Sequence, residues 1–297
     1  MRVQSRWEKF EAWGSTVTSA VMALALAAGC GAVSPDPAVL FLVPLSVEGR
    51  PVGDAILDTG GAYEVMLREA FGLEIVDSAE VLAFAGRQLV SVTEGFTYRA
   101  GSIEVRAAGA ILSGPICDCN GLGFPFFRKT GLVLALDFPN RSAAFVFQTP
   151  EDGIVLEFAS PPGHLPEFDS AFLEVEIEAG GAQQAARALL DTGALVTSVH
   201  RAFLSATTFP PAQRARVRLS HPWLGTVETT ASVFDDPRLP DVILGTEVMA
   251  TWADRWYFRY DPAGGRVVVQ HEPGDQGDEA PALSLSRSEP RVSVRAE

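Results

Sequence analysis

The chain has 297 residues, 47% of them hydrophobic and 20% charged, with 27 glycines and 20 prolines, enough for two lobes of ordinary size with many turns. Its net charge of −14, with no basic patch, argues against nucleic-acid binding and mainly favours solubility. Helical periodicity is absent beyond the N-terminus, so the remainder is expected to be mainly β.

Arg2, Arg6 and Lys9 precede an uncharged stretch, 14–29, within which 20–28 is continuously apolar. That is short for a membrane span and suits a secretory signal. Ala27-Ala28-Gly29-Cys30 resembles a bacterial lipobox, with Leu26 one place further from the cysteine than is usual. The resemblance implies removal of 1–29, acylation of Cys30, and a tether over 30–40 that holds the protein to a membrane of the bacterial envelope, at the outer membrane or periplasmic face. A plain signal peptide or an uncleaved anchor are the alternatives.

The stretch 41–57 alternates Val43, Leu45 and Val47 with Pro44, Ser46 and Glu48, then turns at Gly49 and runs into Asp58-Thr59-Gly60. Period-two alternation predicts a strand with one buried face, and the glycine a hairpin. Over 80–100, Gly86 and Gly95 are turn signals. Cys117 and Cys119 flank Asp118; in an oxidising compartment they can close a small loop, and a local staple is better supported than a redox or zinc role. Gly121-Leu122-Gly123 follows, then an apolar run and a turn at Asp137.

A Pro/Gly-rich segment, 158–167, marks a linker, taken as 151–170. Beyond it the pattern repeats. Leu173, Val175 and Ile177 alternate with Glu174, Glu176 and Glu178, Gly180-Gly181 turns the chain, and a second strand reaches Asp191-Thr192-Gly193. Ile243-Leu244-Gly245 then precedes an apolar strand that turns at Asp261. Asp137 and Asp261 begin turns, where aspartate caps its own backbone, so both are read as structural. The polar end, 271–297, is expected to be disordered. The four histidines, His164, His200, His221 and His271, are scattered without metal-ligand spacing. No serine-hydrolase elbow, zinc-protease helix motif or phosphate loop occurs.

At average residue usage one Asp-Thr-Gly arises by chance in about one chain in twenty of this length. Two in matched surroundings are much harder to dismiss. With Leu-Gly elements following each, they resemble the pepsin/retropepsin aspartic protease superfamily, in a bacterial two-lobed lipoprotein form, over 41–150 and 171–270. The resemblance implies two lobes, each a small closed β-barrel-like sheet, meeting at a substrate cleft. It implies that Asp58 and Asp191 lie together and share a proton, because two adjacent carboxylates cannot both ionise comfortably. One would draw a proton from water while the other polarises the scissile carbonyl. Thr59 and Thr192 are then expected to hydrogen-bond across the lobe interface, and Gly60 and Gly193 to allow the turns to approach. Substrate would lie extended beneath hairpin flaps, over about 80–100 and about 215–232, to which Tyr98 or Trp223 could contribute, although simple packing on a sheet is the better-supported role for each aromatic. The expected protein is a monomer with pseudo-twofold symmetry, using a peptide or protein substrate and no cofactor or metal. Gly61 departs from the pattern, since the family has Ala, Ser or Thr there, so Asp58 lacks an adjacent side-chain donor. Two alternatives stand: a peptide-binding protein of the same fold without catalysis, and a lobe pair that acts as an intermolecular dimer.

Overall fold

The structure, a computed structural model, describes residues 20–21, 38–83, 86–114, 116–165, 170–204, 214–261 and 264–271. Cys30, nearly all of the expected signal segment, residues 31–37 of the tether and 272–297 of the tail lie outside the described residues. No helix among the described residues is long and apolar enough to cross a membrane.

The first lobe is one extended, curled sheet. Its strands are β1 (Ala20–Val21), β2 (Leu42–Val47), β3 (Arg50–Asp58), β4 (Val65–Leu67), β5 (Ile75–Ala83), β6 (Gly86–Thr93), β7 (Phe96–Ala100), β8 (Ile103–Ala107), β9 (Ile111–Leu112) and β10 (Asn120–Gly123), in the spatial order β1-β5-β6-β9-β4-β10-β3-β2-β7-β8. The alternation in β2 does what period two requires: Val43, Leu45 and Val47 are buried and Leu42 and Pro44 are exposed. The second lobe is a closed barrel of β14 (Phe172–Ala179), β15 (Ala182–Leu190), β16 (Ser198–His200), β17 (Arg214–His221), β18 (Gly225–Phe234) and β19 (Val242–Leu244). The glutamates of β14 are less buried than the Leu173, Val175 and Ile177 between them, which face the barrel core. The expectation of a mainly β, two-lobed protein therefore holds, with a closed second barrel and a more open first one.

The two lobes repeat one supersecondary unit. In each, the strand entering the aspartate pairs in parallel with the later Leu-Gly strand, β3 with β10 and β15 with β19. That strand also pairs antiparallel with the short strand following the aspartate turn, β10 with β4 and β19 with β16. Each Leu-Gly strand leads into a seven-residue helix, α1 (Phe124–Thr130) or α2 (Thr246–Trp252). Beyond the helices come β11 (Val133–Asp137) and β12 (Ser142–Val146) from the first half, and β20 (Arg255–Asp261) and β21 (Gly264–Gln270) from the second.

These last hairpins do not stay in their own lobes. They join, together with β13 (Ile154–Glu157), into a five-stranded sheet ordered β12-β11-β20-β21-β13. Strand β11 pairs antiparallel with β20, from Leu134 opposite Phe258 to Asp137 opposite Arg255. The stretch 151–170, read as a linker, thus contributes a strand that pairs with β21. Both helices pack on the shared sheet. The rings of Phe124 and Phe127 in α1 stack on Tyr260 of β20, with centroids 6.3 and 6.0 Å apart. Trp256 of β20 is fully buried and donates its indole N–H to Met249 O of α2 at 3.0 Å. A single apolar core consequently runs through both lobes and sets their relative position before any substrate is considered.

One expected feature is relocated. The span 80–100 belongs to two hairpins, β5–β6 and β7–β8. Gly95 is a point of close backbone approach between them, where a methyl group would stand 3.1 Å from the carbonyl oxygens of Ala107 and Ala108. Tyr98 of β7 is 1% exposed and its hydroxyl donates to Glu64 Oε1 at 3.1 Å, so it is a core residue and covers no cleft. The hairpin over 215–232 is β17–β18, and Trp223 in its turn is 69% exposed. Cys117 and Cys119 are disulfide-bonded in the loop before β10. Asp137 accepts from the backbone N–H of Asn140 at 2.9 Å, as its turn position requires, and also pairs with Arg255 across the shared sheet at 3.0 Å. Those contacts outweigh its partial burial and hold its carboxyl below the usual range.

Candidate active site

Each aspartate stands where its strand ends and the chain must turn back. The turns are alike in detail. The Gly61 N–H approaches Asp58 O at 3.3 Å, and the Ala194 N–H approaches Asp191 O at 3.2 Å. The carbonyl of Gly61 accepts from Phe124 N at 2.9 Å, and that of Ala194 from Thr246 N at 2.8 Å, so each turn is tied to the first residue of its lobe's helix.

The threonines lock the turns to each other. Thr59 N donates to Thr192 Oγ1 at 3.0 Å, and Thr192 N donates to Thr59 Oγ1 at 3.1 Å. In the same exchange Thr59 Oγ1 donates to Leu190 O at 2.7 Å, and Thr192 Oγ1 donates to Leu57 O. Both threonines are fully buried. Ser170 adds a bond that sequence reasoning missed, donating from Oγ to Thr59 O at 2.7 Å.

This lock brings the carboxylates together. A methyl group at Gly60 would lie 2.5 Å from Asp191 Cγ, and one at Gly193 would lie 2.8 Å from Asp58 Cγ. Each glycine therefore sits against the opposite aspartate, and only a residue without Cβ fits. Gly60 N donates to Asp58 Oδ1 at 3.0 Å and Gly193 N to Asp191 Oδ1 at 2.8 Å. Asp58 and Asp191, Thr59 and Thr192, and Gly60 and Gly193 are thus all brought into one cluster.

The two second oxygens differ. Asp58 Oδ2 accepts a 2.8 Å hydrogen bond from the phenol of Tyr63. Asp191 Oδ2 is buried and finds no protein donor. Tyr63 was not singled out from sequence. The available signal was Gly61, because the ring of Tyr63 occupies the space a side chain at position 61 would need. A methyl there would stand 2.5 Å from Tyr63 Cε1 and 2.7 Å from Asp58 Oδ2.

Both carboxylates have no exposed surface. Burial raises Asp58, against the lowering effect of the hydrogen bonds from Tyr63, from Asp191 and from the backbone amides of Gly60 and Gly61. Asp191 is raised further, first by burial and then by the charge of Asp58 beside it. One proton held between the two groups resolves the conflict. A cleft of about 690 Å³ lies elsewhere, between β17–β18 and α2, lined by Arg216, Arg218, Glu228 and Glu247 among others. None of the paired aspartates, threonines or glycines lines it, so it is not the cleft of this site. Among the described residues no group of three or more His, Cys, Asp or Glu is placed to hold a metal ion.

No family model and no curated protein matches the chain by sequence. Among solved structures it is similar to the aspartic proteinase from Irpex lacteus, at 12% identity and a TM-score of 0.50, over 78% of this chain and 94% of that one. At that identity the likeness carries the fold, which is that of an aspartic proteinase.

Two outcomes follow for the site. Thr192→Val removes a donor to Leu57 O and an acceptor for Thr59 N, each buried; a loss of about 2–5 kcal/mol of unfolding free energy is expected in urea titration, whereas Thr192→Ser should stay within about 1 kcal/mol of the parent. Asp191→Asn tests the proton. An aspartate whose folded pKa lies above its unfolded value of about 3.9 contributes no penalty below that pH and destabilises the fold progressively as pH rises toward the folded value. Asp191→Asn should therefore raise the melting temperature at pH 7, with the gain vanishing near pH 3; an equal change at all pH values would show that Asp191 is not raised.

Proposed function

We propose that the protein is an aspartic endopeptidase that hydrolyses peptide bonds with a water activated between Asp58 and Asp191. The observation that carries this reading is the contact between the two carboxylates, each packed on the other's glycine and each held by its own turn. In that arrangement the ionised member takes a proton from water as it attacks, and the protonated member donates to the scissile carbonyl oxygen. The proton taken from water then passes to the leaving amine as the C–N bond breaks, and a hydroxyl of the tetrahedral intermediate returns a proton to the other carboxylate as the product carboxyl forms. No covalent intermediate forms, and the pair returns to a singly protonated state. Thr59, Thr192, Gly60 and Gly193 keep the carboxylates aligned without touching substrate.

Since neither carboxylate has exposed surface, a substrate must displace what covers them. The hairpin β5–β6 is the candidate cover, because Ala79, Val81 and Val90 pack in one cluster with Tyr63, beside Asp58. Displacing that hairpin would leave room for an extended peptide, taken up as an added strand. The same burial favours one rival, a peptide-binding protein of this fold with no turnover. Both halves pair within one chain, which supports action as a monomer. The lipobox-like Ala27-Ala28-Gly29-Cys30 supports attachment to the bacterial envelope through an acylated Cys30. Partition of the full-length protein into detergent, lost in Cys30→Ser, is the expected result.

Hydrolysis of a denatured protein at mildly acid pH tests the activity. Asp58→Asn and Asp191→Asn should each lower kcat by at least about a thousandfold, and a statine-type inhibitor should block the parent. Rate should fall as pH rises and both members ionise. A rate unchanged to pH 9, or turnover surviving both substitutions, would rule out the pair; a folded parent that binds peptides without cleaving them would favour the rival.

A further inference from the structure

The two lobes are near copies around the aspartates, and one side chain breaks the match. Tyr63 lies five residues after Asp58; the residue five after Asp191 is Val196. Tyr63 is 6% exposed, and its hydroxyl donates to Asp58 Oδ2 at 2.8 Å. Its ring is accommodated by two absences of a side chain. A methyl at Gly61 would stand 2.5 Å from Tyr63 Cε1, and one at Gly121 of β10 would stand 2.3 Å from the phenol oxygen. The corresponding residues of the second lobe are Ala194 and Ile243, which carry the side chains that these glycines lack. The second lobe has therefore neither the phenol nor the slot for one, and Asp191 Oδ2 has no protein donor.

From this geometry we infer that Tyr63 is a positioning residue for the pair: its phenol holds Asp58 as the member that ionises first, and so leaves the shared proton on Asp191. A hydrogen bond to a carboxylate favours the charged form, and it acts most strongly where water is absent. The charged groups that bear on the phenol are Asp58 and Asp191; on Asp58 the side chains that act are the neutral phenol of Tyr63 and the carboxyl of Asp191. From β4, β5 and β6 the side chains clustered with the ring are Met66, Ala79, Val81 and Val90, all apolar, with Cys117 and Cys119 of the disulfide loop at the edge of that cluster. Among the described residues, the remaining donors to Asp58 are the backbone amides of Gly60 and Gly61. The phenol itself stays protonated, since burial and then the charge of Asp58 push it well above its ordinary value. In the reaction this assigns roles to the two halves: Asp58 takes the proton from water and Asp191 donates to the carbonyl.

This inference rests on the hydrolytic reading for its kinetic consequence only, and Tyr63→Phe tests it in two ways. If the parent is active, the acid limb of kcat/KM reports protonation of Asp58. Loss of the phenol should move that limb upward by about one pH unit, while a side chain with a purely packing role would lower activity without moving it. The second readout needs no activity. The bond is strongest to the ionised carboxylate, so the melting temperature of Tyr63→Phe should lie close to that of the parent below about pH 3 and fall away from it as Asp58 ionises. A gap in melting temperature that is the same at every pH, or an acid limb that does not move, would overturn the assignment. An inactive parent that still shows the pH-dependent gap would sink the protease reading and leave the role of Tyr63 intact. Should Tyr63→Phe not fold alone, the same comparison is made in the Asp191→Asn background, where Asp58 titrates by itself; there too a pH-independent gap would contradict the proposal.

Discussion

The reciprocal bonding of Thr59 and Thr192 is the constraint on which the rest depends. Each hydroxyl accepts from the other threonine's N–H and donates to the carbonyl two residues before that other threonine. All four bonds are buried, so separating the turns would strand their partners without water, at a cost of about 1–3 kcal/mol for each group. The lobes are already joined by a continuous core and a shared sheet. Packing of that kind sets distances to within side-chain tolerance. The threonine bonds go further, because they fix the register of two backbone turns against each other and leave the glycines no option but to meet the opposing aspartates.

The same constraint creates the chemical tension of the site. Two carboxylates are brought into contact in a region from which solvent is excluded, and both are raised by burial. Such a pair keeps a proton at pH values where isolated aspartates have lost theirs. The fold gives up stability near neutral pH to maintain it, as expected where a site is arranged for reactivity. The repeated unit by itself would leave the proton with no preferred seat. The phenol of Tyr63 on one side, and the empty partner position on the other, make the two members unequal.

Much of this was legible in the sequence, because the signals are local. The alternation in 43–47 and 173–177 reports strands with one buried face, and glycines mark the hairpins that follow them. Repetition of Asp-Thr-Gly and Leu-Gly in the same order pointed to matched lobes with one aspartate each. The shared sheet was not legible. Its decisive pairing joins Leu134 to Phe258, and nothing in either run of apolar residues specifies a partner so distant. The hairpin boundaries over 80–100 were misplaced for a different reason: glycine signals both a turn and a close approach, and at position 95 it is the second. Tyr63 was the hardest to see. A lone tyrosine after the motif carries no pattern, and its meaning depends on space left by Gly61 and by Gly121, which comes from another strand.

The most direct test of the central claim, that Asp58 and Asp191 form one coupled pair around a single proton, is the titration of their side-chain carboxyl carbons by NMR in the folded protein. The account expects two well-separated steps, each sensed by both carboxyls, collapsing to one step when either residue is replaced by asparagine. Two independent titrations near the ordinary value of about 3.9, unchanged by substitution of the other residue, would contradict it.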